Sequence, residues 1–308
     1  MSEEIKQYDV LVIGCGPAGM TAALYTSRAA LSVLILERGV PGGELLNTAE
    51  VENYPGFPSI QGPDLATSMY EGAMRFGADY AYGNVKAIHP GQPYHTIETD
   101  TATYQAKAIV IATGSTHRLL DVPGEADYAG RGVSYCAVCD GAFFKDGKLI
   151  VVGGGDSAVE EGAYLTQYAK QVTIVHRRDQ LRAQAILQER AFANEKIDFT
   201  WDAQVQEILG DGQKVTGVRI VKKDGSSYVE DCDGVFIYIG LLPNQAGFDD
   251  LGITDEEGWV ITDENMLTKV PGIFAAGDIR QKKLRQISTA VGDGGQAGQE
   301  AYNYIQSL

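Results

Sequence analysis

The sequence predicts an α/β protein of two domains built to one plan, the first interrupted by the second, each carrying an antiparallel β-meander. Three observations carry this. A short apolar strand that runs into a glycine-rich turn and then a helix occurs twice, at Gly14 and at Gly153. In both copies a second apolar strand is followed by a functional-looking side chain twenty-three residues after the first glycine, Glu37 in one and His176 in the other. Two further strand-and-turn segments, Ala108–Gly114 and Gly272–Asp278, lie on either side of the second copy and suit the first, so the first domain closes around an insertion. A chain of 308 residues with 44% hydrophobic content is long enough for two cores.

Taken in order, Tyr8–Ile13 reads as a buried strand, Gly14-Cys15-Gly16-Pro17-Ala18-Gly19 as the turn, and Met20–Arg28 as the helix. This is G-x-G-x-x-G in the strand–turn–helix setting that gives it meaning. Its glycines let a pyrophosphate reach free N–H groups at a helix N-terminus. The strand Ser32–Leu36 then delivers Glu37, an acid suited to ribose hydroxyls, so this site should take a nucleotide without a 2′-phosphate, as in FAD or NAD. Residues 81–106 alternate apolar and polar positions and predict a meander. Ala112-Thr113-Gly114 ends the next strand.

The second copy runs from the strand Lys148–Val152 through Gly153, Gly155, Asp156, Ser157 and Ala158 into a helix-like stretch, then a strand Gln171–Val175. His176, Arg177, Arg178 and Arg182 follow, placing cations where the first copy has an acid. Guanidinium groups pair with phosphate in a bidentate way, so this site should prefer NADP(H) to NAD(H). Both units are therefore Rossmann-like. Residues 201–236 predict the second meander, Gly277-Asp278 ends a strand and suits the sugar-like chain of a flavin, and Gln296–Gln306 predicts a final helix. Gly114–Arg118 and Gly240–Asn244 are expected as a two-strand hinge. Residues 1–117 with 244–308 form the first domain on this reading, and 118–243 the second.

Between the two turns lies Cys136-Ala-Val-Cys139, followed by Asp140. A C-x-x-C pair in a chain without the remaining zinc ligands is expected to be a redox dithiol, since Cys15, Cys232 and the four histidines are scattered rather than spaced for a metal. No metal is expected. Asp140 is placed either to exchange a proton with the thiols or to cap the following turn. A formal charge of −16 argues against nucleic-acid and anionic-membrane partners. The polar, acidic start lacks the pattern of a signal peptide and no apolar run reaches the ~20 residues of a membrane span, so a cytoplasmic location is expected.

These motifs resemble the low-molecular-weight thioredoxin reductases over essentially the whole chain: Gly14–Gly19, Glu50–Gly56, Ala112–Gly114, Cys136–Gly141, Gly153–Ala158, His176–Asp179, Gly277-Asp278 and Arg285-Gln286. The resemblance implies an FAD domain interrupted by an NADPH domain that carries the dithiol, and a homodimer. It implies Cys139 as the thiol nearest the flavin, Cys136 as the one that attacks thioredoxin, and Asp140 as general acid–base. It places Gly43, Glu44, Leu45, Asn53, Arg285, Gln286 and Ile287 at the FAD, and Phe143 with Phe144 at the docking surface for thioredoxin. The family commonly has Gln where this chain has Glu44, which puts a charge near the flavin. The alternatives are a ferredoxin or flavodoxin:NADP reductase, whose kind lacks the dithiol, a dithiol oxidase, which has no need of the arginine cluster, and a non-catalytic nucleotide sensor.

Overall fold

The computed structural model describes residues 5–48, 50–245 and 247–308, and the side chains of Glu50, Val138 and Cys139 lie outside that description. Two compact units result: the chain up to Thr116 together with Leu242–Leu308, and His117–Leu241. The two crossings run side by side as a short ribbon of Ser115–His117 and Leu241–Pro243.

In the first unit the strand Lys6–Ile13 lies at the centre of a parallel sheet, with Val33–Glu37 and Asp79–Tyr82 on one side and Thr103–Ile111 on the other. Val12 stands opposite both Ile35 and Val110, which fixes the register. The nine-residue strand Thr103–Ile111 serves two partners. Its start pairs with the antiparallel meander His95–Thr99 and Val85–His89, while its end pairs in parallel with Ile273–Ala275. A parallel strand covered on both faces needs apolar residues at every position. Accordingly Val10, Val12, Val33, Ile35 and Val110 pack with helices α1 (Pro17–Arg28) and α6 (Ile287–Gln306), while Leu11, Ile13, Leu34, Leu36 and Ile111 pack with Phe248, Ile253 and Val260 on the other face. The helix α2 (Gly62–Met74) lies beside α1.

The second unit repeats the plan. Its parallel order is Val133–Ser134, Gly234–Tyr238, Lys148–Gly153, Gln171–Val175 and Ile197–Thr200, with the antiparallel meander Ala203–Gly210, Val215–Lys222 and Ser227–Asp231 beside it. Leu149, Val151 and Phe236 bury against Val159 and Leu165 of α4 (Asp156–Leu165); Ile150, Val152, Val235 and Ile237 bury against the meander residues Val205, Val218 and Ile220. Two more helices, α3 (Ala137–Asp140) and α5 (Ala185–Phe192), complete the unit.

The last helix is longer than the sequence suggests. It begins at Ile287, capped by Gln286 and Thr289 in a capping box, instead of at Gln296. Glycines along it are needed for contact: a Cβ on Gly294 would strike the Ala18 carbonyl, and one on Gly298 would crowd Ala22. Small residues let α6 and α1 approach closely.

Candidate active site

In both units the glycine turn lies beyond the carboxyl end of the central strand, where open α/β sheets place their ligand crevice. In the first, Gly14 has φ of 104°, and a Cβ there would collide with the carbonyl of Ala112. The turn therefore abuts Ala112-Thr113-Gly114. That second segment is fixed by Asn244, which accepts the Thr113 hydroxyl at its carbonyl (2.7 Å) and donates its side-chain amide to the Thr113 carbonyl (2.9 Å). Gly16 caps α1, Pro17 occupies its first position, and the N–H of Gly42 bonds the Cys15 carbonyl, so Gly43 is brought close to Gly16. Glu37 closes the loop: one carboxylate oxygen accepts the N–H of Cys15 (2.7 Å), the other that of Gly39 (2.8 Å).

The other residues assigned to this site gather in the same unit. Glu44 and Leu45 lie in the turn Gly43–Asn47, with Leu45 buried among Val51, Leu65 and Ala66 and touching Ile287. Asn53 donates to the side-chain carbonyl of Gln286 at 2.9 Å. A Cβ on Gly277 would meet that of Ala18, so the Gly277-Asp278 turn sits against the start of α1. Asp278 is half-buried, and its Oδ1, itself buried, has no hydrogen-bond partner among the described residues. Burial pushes this carboxyl up, opposed by the charges of Lys282 and Arg285 and reinforced by those of Asp293 and Glu44.

Sequence reasoning missed the support for this corner. Asp293 receives Arg280 and Lys282, both at 2.9 Å, and accepts the N–H of Gly277. Arg285 lies 3.7 Å over the ring of Trp259 and donates to the carbonyls of Asp278 and Arg280. Arginine over an aromatic face is a recognisable pairing, but the two residues are too far apart in sequence to be matched without the fold.

In the second unit Gly153 has φ of 150° and leaves no room for a Cβ between Ala158 and the Tyr238 carbonyl. Gly155 caps α4 and Ser157 is exposed. Asp156, assigned to the cofactor, is engaged elsewhere: its carboxylate accepts both the backbone N–H and the side-chain amide of Gln184 at 2.8 Å. The ring of His176 fills the space above Gly154 and is buried. Burial, helped by Arg182, Arg178 and Arg177, holds its pKa below the usual histidine value, so His176 is a neutral packing ring within the cluster. The positive charge resides in the three exposed arginines, none of which has an ion-pair partner among the described residues.

The dithiol segment belongs to the second unit. Cys136 is disulfide-bonded, whereas Cys15 and Cys232 are buried free thiols, each pushed up to about 12 chiefly by burial. The side chain of Cys139 lies outside the described residues. Ser134 accepts the N–H of Cys136 at its hydroxyl (3.0 Å), and the hydroxyl of Tyr238 accepts that of Ala137 (3.0 Å). Upstream, buried Glu125 accepts the N–H groups of Leu120 and Asp121 and the hydroxyl of Tyr135, which pins the approach to Cys136. Asp140 makes no capping bond to the following turn, so the capping role has no support. The two phenylalanines diverge. Phe143 is 81% exposed, while Phe144 packs edge-on against buried Phe236 at 5.5 Å.

Residues 8–294 match the family model described as pyridine nucleotide-disulphide oxidoreductase. Across 309 aligned residues the chain is 63% identical to the thioredoxin reductase of Listeria monocytogenes, covering 100% of this chain and 97% of that one. The corresponding protein of Bacillus subtilis is 58% identical, with 100% and 98% covered. The chain belongs to the thioredoxin reductases of that family. A crystal structure of Lactococcus lactis thioredoxin reductase superimposes with a TM-score of 0.96 at 55% identity, covering 98% of this chain and all of that one.

As a member, the chain is an NADPH-dependent flavoprotein disulfide reductase whose cofactors are FAD and NADPH, and these relatives do not favour the ferredoxin-type or oxidase alternatives. The residues fit both groups. An orphaned, buried Asp278 oxygen beside a glycine turn suits the hydroxyls of a flavin nucleotide, and three exposed guanidiniums beside a second such turn suit a phosphate. No helix of the described residues is long and apolar enough to cross a membrane.

Proposed function

We propose that the protein reduces the disulfide of thioredoxin, with the unit of residues up to 116 and from 242 onward holding FAD and the unit 117–241 holding NADPH and the dithiol. The observation that carries this reading is Cys136, held in a disulfide at the head of α3 in the unit that also bears the arginine cluster. When both are bound, the nicotinamide supplies a hydride and the flavin passes an electron pair onward.

The chain's own residues do the rest. Glu37 orients the first loop for ribose, the N–H groups at the start of α1 receive a pyrophosphate, and Asp278 and Asn53, the latter held by Gln286, hold the flavin part. Arg177, Arg178 and Arg182 receive the 2′-phosphate. The Cys136–Cys139 disulfide takes up two electrons and one proton, leaving one thiolate and one thiol. Cys136 thiolate then attacks a sulfur of the thioredoxin disulfide; the S–S bond breaks, and the departing thiolate takes a proton. Cys139 next attacks Cys136, restores the internal disulfide and releases the second thioredoxin thiol. Asp140 holds and returns the protons. Exposed Phe143 offers an apolar contact for thioredoxin. The reading includes a homodimer working in the cytoplasm.

Replacing Cys136 with Ser tests it. Thioredoxin reduction should vanish while NADPH still bleaches the flavin; loss of both would give Cys136 another place in the chain of transfer.

A further inference from the structure

Helix α3 rests on α4, and Gly141, just beyond α3, sits so close that a Cβ would meet Leu165 of α4 at 3.0 Å. One turn earlier on α4, Glu161 directs its carboxyl inward: Oε2 is buried and has no hydrogen-bond partner among the described residues. Burial, reinforced by Glu160, raises this carboxyl to about 8, so it is mostly protonated at neutral pH. Tyr238 lies within electrostatic reach of Glu161 and touches the redox helix. The Tyr238 hydroxyl accepts the N–H of Ala137, the residue next to Cys136. Burial raises this phenol strongly; among charged neighbours Glu161 has the largest effect on it, and Asp140 adds to it.

We propose that Glu161 is a positioning residue for the disulfide chemistry, its buried and unpartnered carboxyl oxygen standing on the helix that carries α3, behind the Tyr238 hydroxyl that holds the Ala137 amide beside Cys136. The inference rests on the role of Cys136 proposed above. Once Glu161 ionises, a negative charge stands behind the Ala137 amide, the neighbouring thiolate becomes harder to form, and the attacking species is depleted. The other titratable groups facing this pair are Asp140 on α3, Glu160, Tyr164 and the adjoining Tyr168 on the α4 side, and Tyr135 and His117, whose ring meets that of Tyr238 at 6.1 Å.

The test is the rate of Cys136 alkylation by iodoacetamide in the full-length protein reduced with dithiothreitol, followed by peptide mass from about pH 6 to about pH 9.5. In the wild type the rate should climb and then flatten near pH 8. Glu161→Gln should follow a single ionisation without that break and exceed the wild type by about threefold or more at the alkaline end. Glu161→Leu should behave alike, and an apolar side chain suits a buried site without donors. His117→Gln should keep the break. Superimposable profiles for the wild type and either Glu161 variant would overturn the proposal, as would a wild-type profile without a break or a break that disappears in His117→Gln. NADPH-driven thioredoxin reduction by the same wild-type preparation separates failure here from failure of the reductase reading, since alkylation requires neither nucleotide.

Discussion

The two glycine turns share a backbone and differ at the end of the following strand. In the first, Glu37 is tied into the loop by the N–H groups of Cys15 and Gly39, so its charge is engaged locally in the shape of the loop. In the second, a neutral His176 takes the structural position against Gly154, and the charge moves outward to three arginines without an ion-pair partner among the described residues. On the proposed assignment one fold distinguishes two nucleotides with a handful of side chains, because the pyrophosphate needs only backbone while the ribose edge needs either an acceptor or a cation.

The largest effect is expected where the acid does both jobs. Glu37→Ala should lower the FAD content of the purified protein by about tenfold or more, since a loop contact and a charge-assisted ribose contact go together. FAD content that stays at the wild-type level would leave Glu37 a loop tie alone. Next, the double variant Arg177→Ala/Arg178→Ala should weaken NADPH by about 2–4 kcal/mol in KM while NADH changes little. Equal losses for the two nucleotides would remove the phosphate assignment.

The third prediction concerns pH. Unfolded Glu161 ionises near 4.5, whereas folded Glu161 keeps its proton to about 8. The folded state therefore binds more protons across that window, and the wild type loses stability as pH rises through it. Glu161→Gln lacks this loss, so its advantage in thermal unfolding should grow from about pH 5 to about pH 8 and approach the order of 3 kcal/mol near neutrality. A constant offset at all pH values would count against a neutral buried carboxyl. The smallest effect is expected from Asp156→Ala, which frees Gln184 and should cost about 1–2 kcal/mol of stability with little change in NADPH KM. A large rise in KM would return Asp156 to the cofactor.

Much of this was legible in the sequence. The strands beside both turns are continuous apolar runs because each is buried on both faces, and the glycine spacing reports a backbone close approach directly. Helix α2 and the first turns of α6 were not legible: Gly62-Pro63 looks like punctuation although a Cβ on Gly62 would strike the carbonyls of Leu45 and Thr48, and Gly294-Gly295 looks like punctuation until Gly294 is seen against the Ala18 carbonyl of α1. Asp293 and Trp259 owe their roles to partners farther along the chain, and Glu125 to nearby donors that gather around it only once it is buried. Glu160 and Glu161 are adjacent carboxylates on one helix, yet one is exposed and the other carries a buried oxygen. Phe143 and Phe144 differ in the same way, because a tight turn sends neighbouring side chains to opposite environments.

The most direct measurement is an anaerobic titration of the purified protein with NADPH, following the flavin spectrum with and without thioredoxin. The account predicts uptake of two two-electron equivalents, one for the flavin and one for the dithiol, and rapid reoxidation on adding thioredoxin. Uptake of a single equivalent with no response to thioredoxin would contradict it.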